Sequence, residues 1–168
     1  MKKLKLVAVM LLLLSFSINA QEMFKNFSGE DIGAPKINGD YKYDKKVQKF
    51  RLEGSGYNIW FERDEFYFVS QKVKGDFILS ANLNFLGEGV NAHRKIGLMI
   101  RNSNAEDAVY MDGAIHGDGL TALQYRIKKG AETLEKSSDV KAPGFVQVER
   151  KGDEFFLRVS KDGQPLHE

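Results

Sequence analysis

Gly97-Leu98-Met99-Ile100-Arg101 and Leu120-Thr121-Ala122-Leu123-Gln124-Tyr125-Arg126 alternate apolar residues with polar or small ones. Alternation with a period of two places one set of side chains on a core and the other set on the opposite face of a strand. The stretch from Gly56 to Arg126 repeats this pattern, cut by glycine turns at Gly75-Asp76 and His116-Gly117-Asp118-Gly119. It predicts a β-sandwich with one polar sheet face, a surface suited to a polar ligand such as a sugar.

Further strands are expected on either side. Lys49–Glu53 precedes the Gly54-Ser55-Gly56 turn, and Tyr57–Phe61 and Glu65–Lys74 flank a charged Glu62-Arg63-Asp64 bend. In Phe77–Phe85, residues Phe77, Leu79, Ala81, Leu83 and Phe85 share one face. Ile96–Arg101, Ala108–Ile115 and Leu120–Lys128 come next. Lys129–Ala142 reads as polar and loosely ordered, and Phe145–Lys151 with Glu154–Ser160 reads as a hairpin around Gly152-Asp153. No long amphipathic helix is predicted, so the fold class is all-β, a sandwich or jelly roll. The chain stops at Glu168, soon after the turn beyond Val159. A sandwich would return with another strand to cover that edge, so either the edge is open and invites association or the domain lacks its last strands, and the second is expected.

Lys2, Lys3 and Lys5 precede an apolar run from Leu6 to Ser17, and Ala20 ends a fitting cleavage site. Residues 1–20 are therefore read as a signal peptide, with an uncleaved anchor as the alternative, 21–36 as an approach segment and 37–168 as the domain. The apolar run is shorter than the roughly 20 residues of a membrane span, and export to the periplasm or the outside of the cell is expected. The absence of cysteine excludes a lipid-anchored lipoprotein and disulfides. The first 20 residues hold three of the 25 Lys and Arg and none of the 23 Asp and Glu, so the remainder carries 22 − 23 = −1. This balance does not point to nucleic acid, which needs a clustered basic surface. The 168 − 20 = 148 remaining residues suffice for one domain with its own core.

Several blocks carry a family resemblance: Asn58-Ile59-Trp60 with Asp64-Glu65-Phe66, Gly75-Asp76-Phe77, His93-Arg94-Lys95-Ile96-Gly97-Leu98-Met99-Ile100-Arg101, His116-Gly117-Asp118-Gly119-Leu120 with Gln124-Tyr125-Arg126, and Ser160-Lys161-Asp162-Gly163. The chain resembles, over residues 30–168, the concanavalin A-like jelly-roll domains of exported bacterial proteins, which are similar to the C-terminal domain of bacterial β-xylosidases. The resemblance implies a fold and a family without an agreed activity. In such domains further strands come after the Ser-x-Asp-Gly turn.

Four constellations are candidates for function. If their strands are neighbours, Arg101, Tyr110, Asp112, Gln124 and Arg126 line one surface, where Arg and Gln can pair with vicinal hydroxyls and Tyr can stack on a sugar face. The alternative is a cross-strand ion pair of Asp112 with Arg101 or Arg126. His93 and Arg94, together with His116 and Asp118, come from two turns that would meet at one end of the sandwich. They would contact a sugar or a metal, or the second motif is simply a tight turn closed by Asp118. Zinc lacks a full ligand set here, and calcium would use Asp107, Asp112 and Asp118. Trp60 is a stacking platform or a core residue. Glu62 and Asp64 have the i, i+2 spacing of a carboxylate pair, but Phe66 interrupts the series. A non-catalytic carbohydrate-binding or accessory module without a required cofactor is the leading expectation. A glycan-processing enzyme and a protein-interaction module of the envelope are the alternatives.

Overall fold

The computed structural model of the protein describes residues 26–89, 91–162 and 164–168. The expected signal peptide lies outside the described residues, as does the first part of the expected approach segment. Thirteen strands are described. The strands β8 (Lys95–Arg101), β9 (Tyr110–His116), β10 (Thr121–Arg126) and β11 (Leu134–Ser137) form an antiparallel meander in the order β11-β10-β9-β8. The strands β7 (Phe77–Asn82), β12 (Phe145–Lys151) and β13 (Glu154–Ser160) form a second antiparallel sheet in the order β13-β12-β7. The fold is all-β, as the alternation predicts, and the two sheets face each other as a sandwich.

The core is the layer between these sheets. Met111 and Ile115 from β9 meet Val146 and Val148 from β12 and Leu157 and Val159 from β13. Leu79, Leu83 and Phe85, expected on one face, pack against this cluster together with Leu98, Leu123 and Tyr125. Gly113 stands between Met111 and Ile115 on the core side of β9. A Cβ there would lie 2.3 Å from Leu157 Cδ1, so the two sheets meet closely at this point. Gly152 closes the β12–β13 hairpin at φ 62°, the left-handed region that glycine enters without steric cost.

Before the sandwich the chain builds ribbons. These are β1 (Ser28–Ile32) paired with β6 (Phe66–Ser70), the hairpin of β2 (Asp40–Asp44) with β3 (Lys49–Glu53), and the short hairpin of β4 (Ile59–Trp60) with β5 (Arg63–Asp64). Two sequence readings need correction. The Glu62-Arg63-Asp64 bend contains β5, and the polar stretch 129–142 contains β11. Asp40–Asp44 is a strand although charge alternates with tyrosine along it. In each case the strand is short or mostly exposed, so apolar alternation carries little signal; backbone pairing to a neighbour supplies the order. Past β13 the chain reverses, and His167 bridges Val159 through backbone bonds of 2.9 Å in both directions.

Leu157→Ala should lower unfolding stability by about 2–5 kcal/mol, the range for a truncated core leucine. Ile78→Ala, at 59% exposure on the outer face of β7, should change it by less than about 0.5 kcal/mol. Chemical denaturation of the two variants checks the position of the core.

Candidate functional site

The face of the four-stranded sheet that points away from the core is polar. Register sets Met99 opposite Asp112, Asp112 opposite Gln124 and Gln124 opposite Glu135, and one step along it sets Arg101 opposite Tyr110 and Tyr110 opposite Arg126. The sequence-predicted residues Arg101, Tyr110, Asp112, Gln124 and Arg126 therefore do share one face. This face is covered, however: Tyr110, Asp112, Gln124 and Arg126 are all at most 3% exposed. The cover is the chain from Asn58 to Phe66, which carries the β4–β5 hairpin across the sheet.

Asp64 anchors the cover. Arg126 Nη1 and Nη2 donate to its two carboxylate oxygens at 2.9 and 2.8 Å, and Arg101 Nη2 stands 3.5 Å from Oδ2. The alternation makes Asp112 the expected ion-pair partner of these arginines; the structure places Asp64 there instead. The remaining N–H groups of Arg126 donate to the carbonyls of Phe61, Ala108 and Ala131, so the whole guanidinium is bonded, and it also lies 5.0 Å from the centroid of the Tyr110 ring. Tyr110 and Thr133 share a hydroxyl hydrogen bond of 3.0 Å, and the Thr133 N–H donates to Phe61 O at 2.9 Å. At the other end of the cover Lys95 Nζ donates to Asn58 Oδ1 and Ile59 O, both at 2.8 Å, and stands 5.5 Å from the Trp60 ring centroid. Trp60 is half-buried and lies outside the hydrophobic core. Of the two carboxylates with i, i+2 spacing, Glu62 is exposed in the turn and Asp64 is fully buried.

The two histidines come together, as two turns at one end of the sandwich predict. His93 Nδ1 and His116 Nδ1 are 3.5 Å apart, with the rings nearly perpendicular. His116 is buried and His93 exposed. Behind them Gln124 Nε2 stands 3.4 Å from His116 Nε2 and donates to Glu135 Oε2 at 2.7 Å. Arg94 turns away: it donates to Gly89 O at 2.8 Å and lies over Phe85. Asp118 is exposed and accepts from the Leu120 N–H, which closes the turn. Among the described residues no group of three or more His, Asp or Glu could hold a metal ion.

Burial dominates the electrostatics of this face. It pushes the Asp112 carboxyl up to about 8, against the opposing pull of the Lys95 charge. It lowers the pKa of Lys95, against Asp112, Glu135 and Asp64. It lowers that of His116, which is neutral at physiological pH. Among the described residues, two buried oxygens, Asp112 Oδ1 and Gln124 Oε1, have no hydrogen-bond partner. Clefts of about 410 and 350 Å³ lie elsewhere, along the 161–166 return. Their lining is mostly exposed side chains, and buried Ser160 has its hydroxyl bonded to Lys161 O and Gln164 O. The polar face, with its unpartnered oxygens and perturbed acid, is the stronger candidate.

Sequence reasoning missed Asp64, Lys95 and Glu135 as members of this site. Lys95 stands inside the His93-Arg94-Lys95 motif, on the polar side of the β8 alternation, and that position is a usable signal. Glu135 lies in an exposed strand with no apolar alternation to reveal its direction. No protein-family model, curated protein or solved structure matches the chain.

Asp64→Asn should destabilise the protein by about 3–5 kcal/mol, because it leaves two buried guanidinium groups without a counter-charge. Glu62→Gln, two residues away in the turn, should leave the unfolding midpoint nearly unchanged. The folded pKa of Asp112 lies above its unfolded value of about 3.9, so the folded state holds an extra proton between the two values. Its contribution to stability is complete below about pH 4 and is lost as pH rises towards 8. Asp112→Asn should remove this loss, and unfolding free energy measured against pH for both proteins tests it.

Proposed function

We propose that the protein is an exported, non-catalytic carbohydrate-binding or accessory module with a concanavalin A-like jelly-roll fold. The observation that carries this reading is the open end of the covered polar face. There exposed His93 leads through buried His116 to Gln124 and Glu135, beside the half-buried Trp60 ring. Imidazole N–H and carboxylate groups held on sheet strands present fixed donors and acceptors to hydroxyls, and an indole next to them offers an apolar face to a sugar ring. The ligand would sit at this end and not along the whole face, because the cover keeps Arg101, Tyr110 and Arg126 from solvent.

The non-catalytic part of the reading rests on how the carboxylates are used. Asp64 is bound to two arginines, and Asp112 lies under the cover. A glycosidase pair needs both carboxyls to reach one scissile bond. The carbohydrate part rests on the resemblance to domains similar to the C-terminal domain of bacterial β-xylosidases, which is an argument from fold to ligand and needs its own test.

Thermal unfolding of the purified protein with a panel of plant and bacterial oligosaccharides provides it. A ligand at a hundredfold excess over its dissociation constant stabilises by about 2.7 kcal/mol, a rise of roughly 5–10 °C for a domain of this size. The rise should vanish in His93→Ala, whose own melting temperature should stay near that of the wild type because the side chain is exposed. A rise that persists in His93→Ala places the ligand elsewhere. No rise with any sugar shifts the reading to a protein-interaction module of the envelope.

A further inference from the structure

We propose that Asp112 and Gln124 share one proton under the 58–66 cover, and that losing this proton draws Lys95 from the cover to Asp112 and loosens the cover. The inference does not depend on what the domain binds.

The two unpartnered buried oxygens, Asp112 Oδ1 and Gln124 Oε1, belong to residues that face each other directly across β9 and β10. Directly opposed side chains of an antiparallel pair have Cβ atoms about 4.5–5.5 Å apart, within reach of a carboxyl and an amide. Two acceptors in a buried site repel unless a donor lies between them. The amide nitrogen of Gln124 is already engaged with Glu135 and His116, so it cannot be turned inward without losing both contacts. A carboxylic acid O–H on Asp112 donating to Gln124 Oε1 satisfies both oxygens at once. Burial that lifts the Asp112 pKa to about 8 agrees with the acid form at neutral pH.

The charges around Asp112 decide the consequence of ionisation. On its own strand stand Tyr110, its hydroxyl bonded to Thr133, and neutral His116. Glu135 on β11 and Asp64 on β5 are like charges that oppose a third anion, and Asp64 is held by Arg101 and Arg126. Lys95 on β8 is the cation whose field acts most strongly on Asp112. Its ammonium is engaged by Asn58 Oδ1 and Ile59 O, the contacts that hold the cover at this end. A newly formed carboxylate competes for it with full charge against two neutral acceptors, and charge-assisted bonds are the stronger ones. One cation with two alternative partners makes a two-state element that a single proton biases.

Trp60 reports the outcome, because it is the only tryptophan and Lys95 Nζ lies over its ring. Its emission should change with a midpoint near pH 8 while far-ultraviolet circular dichroism stays constant. In Asp112→Asn, whose amide N–H replaces the acid O–H, the transition should disappear. Exchange of the Glu65 and Thr133 amides, which bond to Asn58 O and Phe61 O, should be at least tenfold faster in the wild type than in Asp112→Asn at pH 9, and equal at pH 6.5. An identical Trp60 transition in both proteins, or none in the wild type between pH 7 and 9, overturns the proposal. The carboxyl ¹³C shift of Asp112 gives a reading without any variant: a midpoint near 8 supports the shared proton, and one near 4 overturns it.

Discussion

The carboxylate of Asp64, clamped by Arg126 and faced by Arg101, is the interaction on which the rest of the polar face depends. All three side chains are out of solvent. Removing charges from water is costly, and mutual attraction repays the cost only with full hydrogen bonding. Arg126 meets that condition, with bonds to Asp64 and to the carbonyls of Phe61, Ala108 and Ala131. These bonds tie β5 to β10 and to the loops that enter β9 and β11. The β4–β5 hairpin has just two residues in each strand and could not persist alone. It lies across the sheet because the arginines require a counter-charge there.

The four-stranded sheet is thus buried on both faces by different means. One face meets the β7-β12-β13 sheet through Met111, Ile115 and their neighbours, where burial of apolar area drives association without directional demand. The other meets the cover through named hydrogen bonds, each with a direction. Such a layer tolerates little displacement, since a shifted cover would leave guanidinium, ammonium and carboxyl groups unpaired in a dry environment. The chemistry of the face is consequently available to a partner at the one end where His93 and Glu135 are exposed, and not along its length.

Much of this is legible in the sequence. Alternation in Gly97–Arg101 and Leu120–Arg126 places Arg101, Gln124 and Arg126 on one side, and that holds since the period of two is a property of the strand itself. The meeting of His93 with His116 comes from two turns at one end of adjacent strands. What alternation cannot report is what lies on top of a face. A polar strand face reads the same whether water or a buried carboxylate covers it, so Asp64 reads as a charge in a bend. The difference is made by tertiary contact between positions 62 residues apart, and no local pattern encodes that pairing.

The two ends of the cover also differ in kind. At the Asp64 end the cover is held by an ion pair, with the guanidinium of Arg126 fully bonded. At the Lys95 end a single ammonium donates to neutral oxygens, next to a carboxyl that burial keeps in the acid form. Strength at the first end fixes the hairpin as a whole. The second end is held by the weaker class of bond, and it is the end beside Trp60, His116 and His93. Any motion of the cover would therefore begin there, pivoting about Asp64, and would uncover Asp112 and Gln124 before it reached Tyr110 or Arg126.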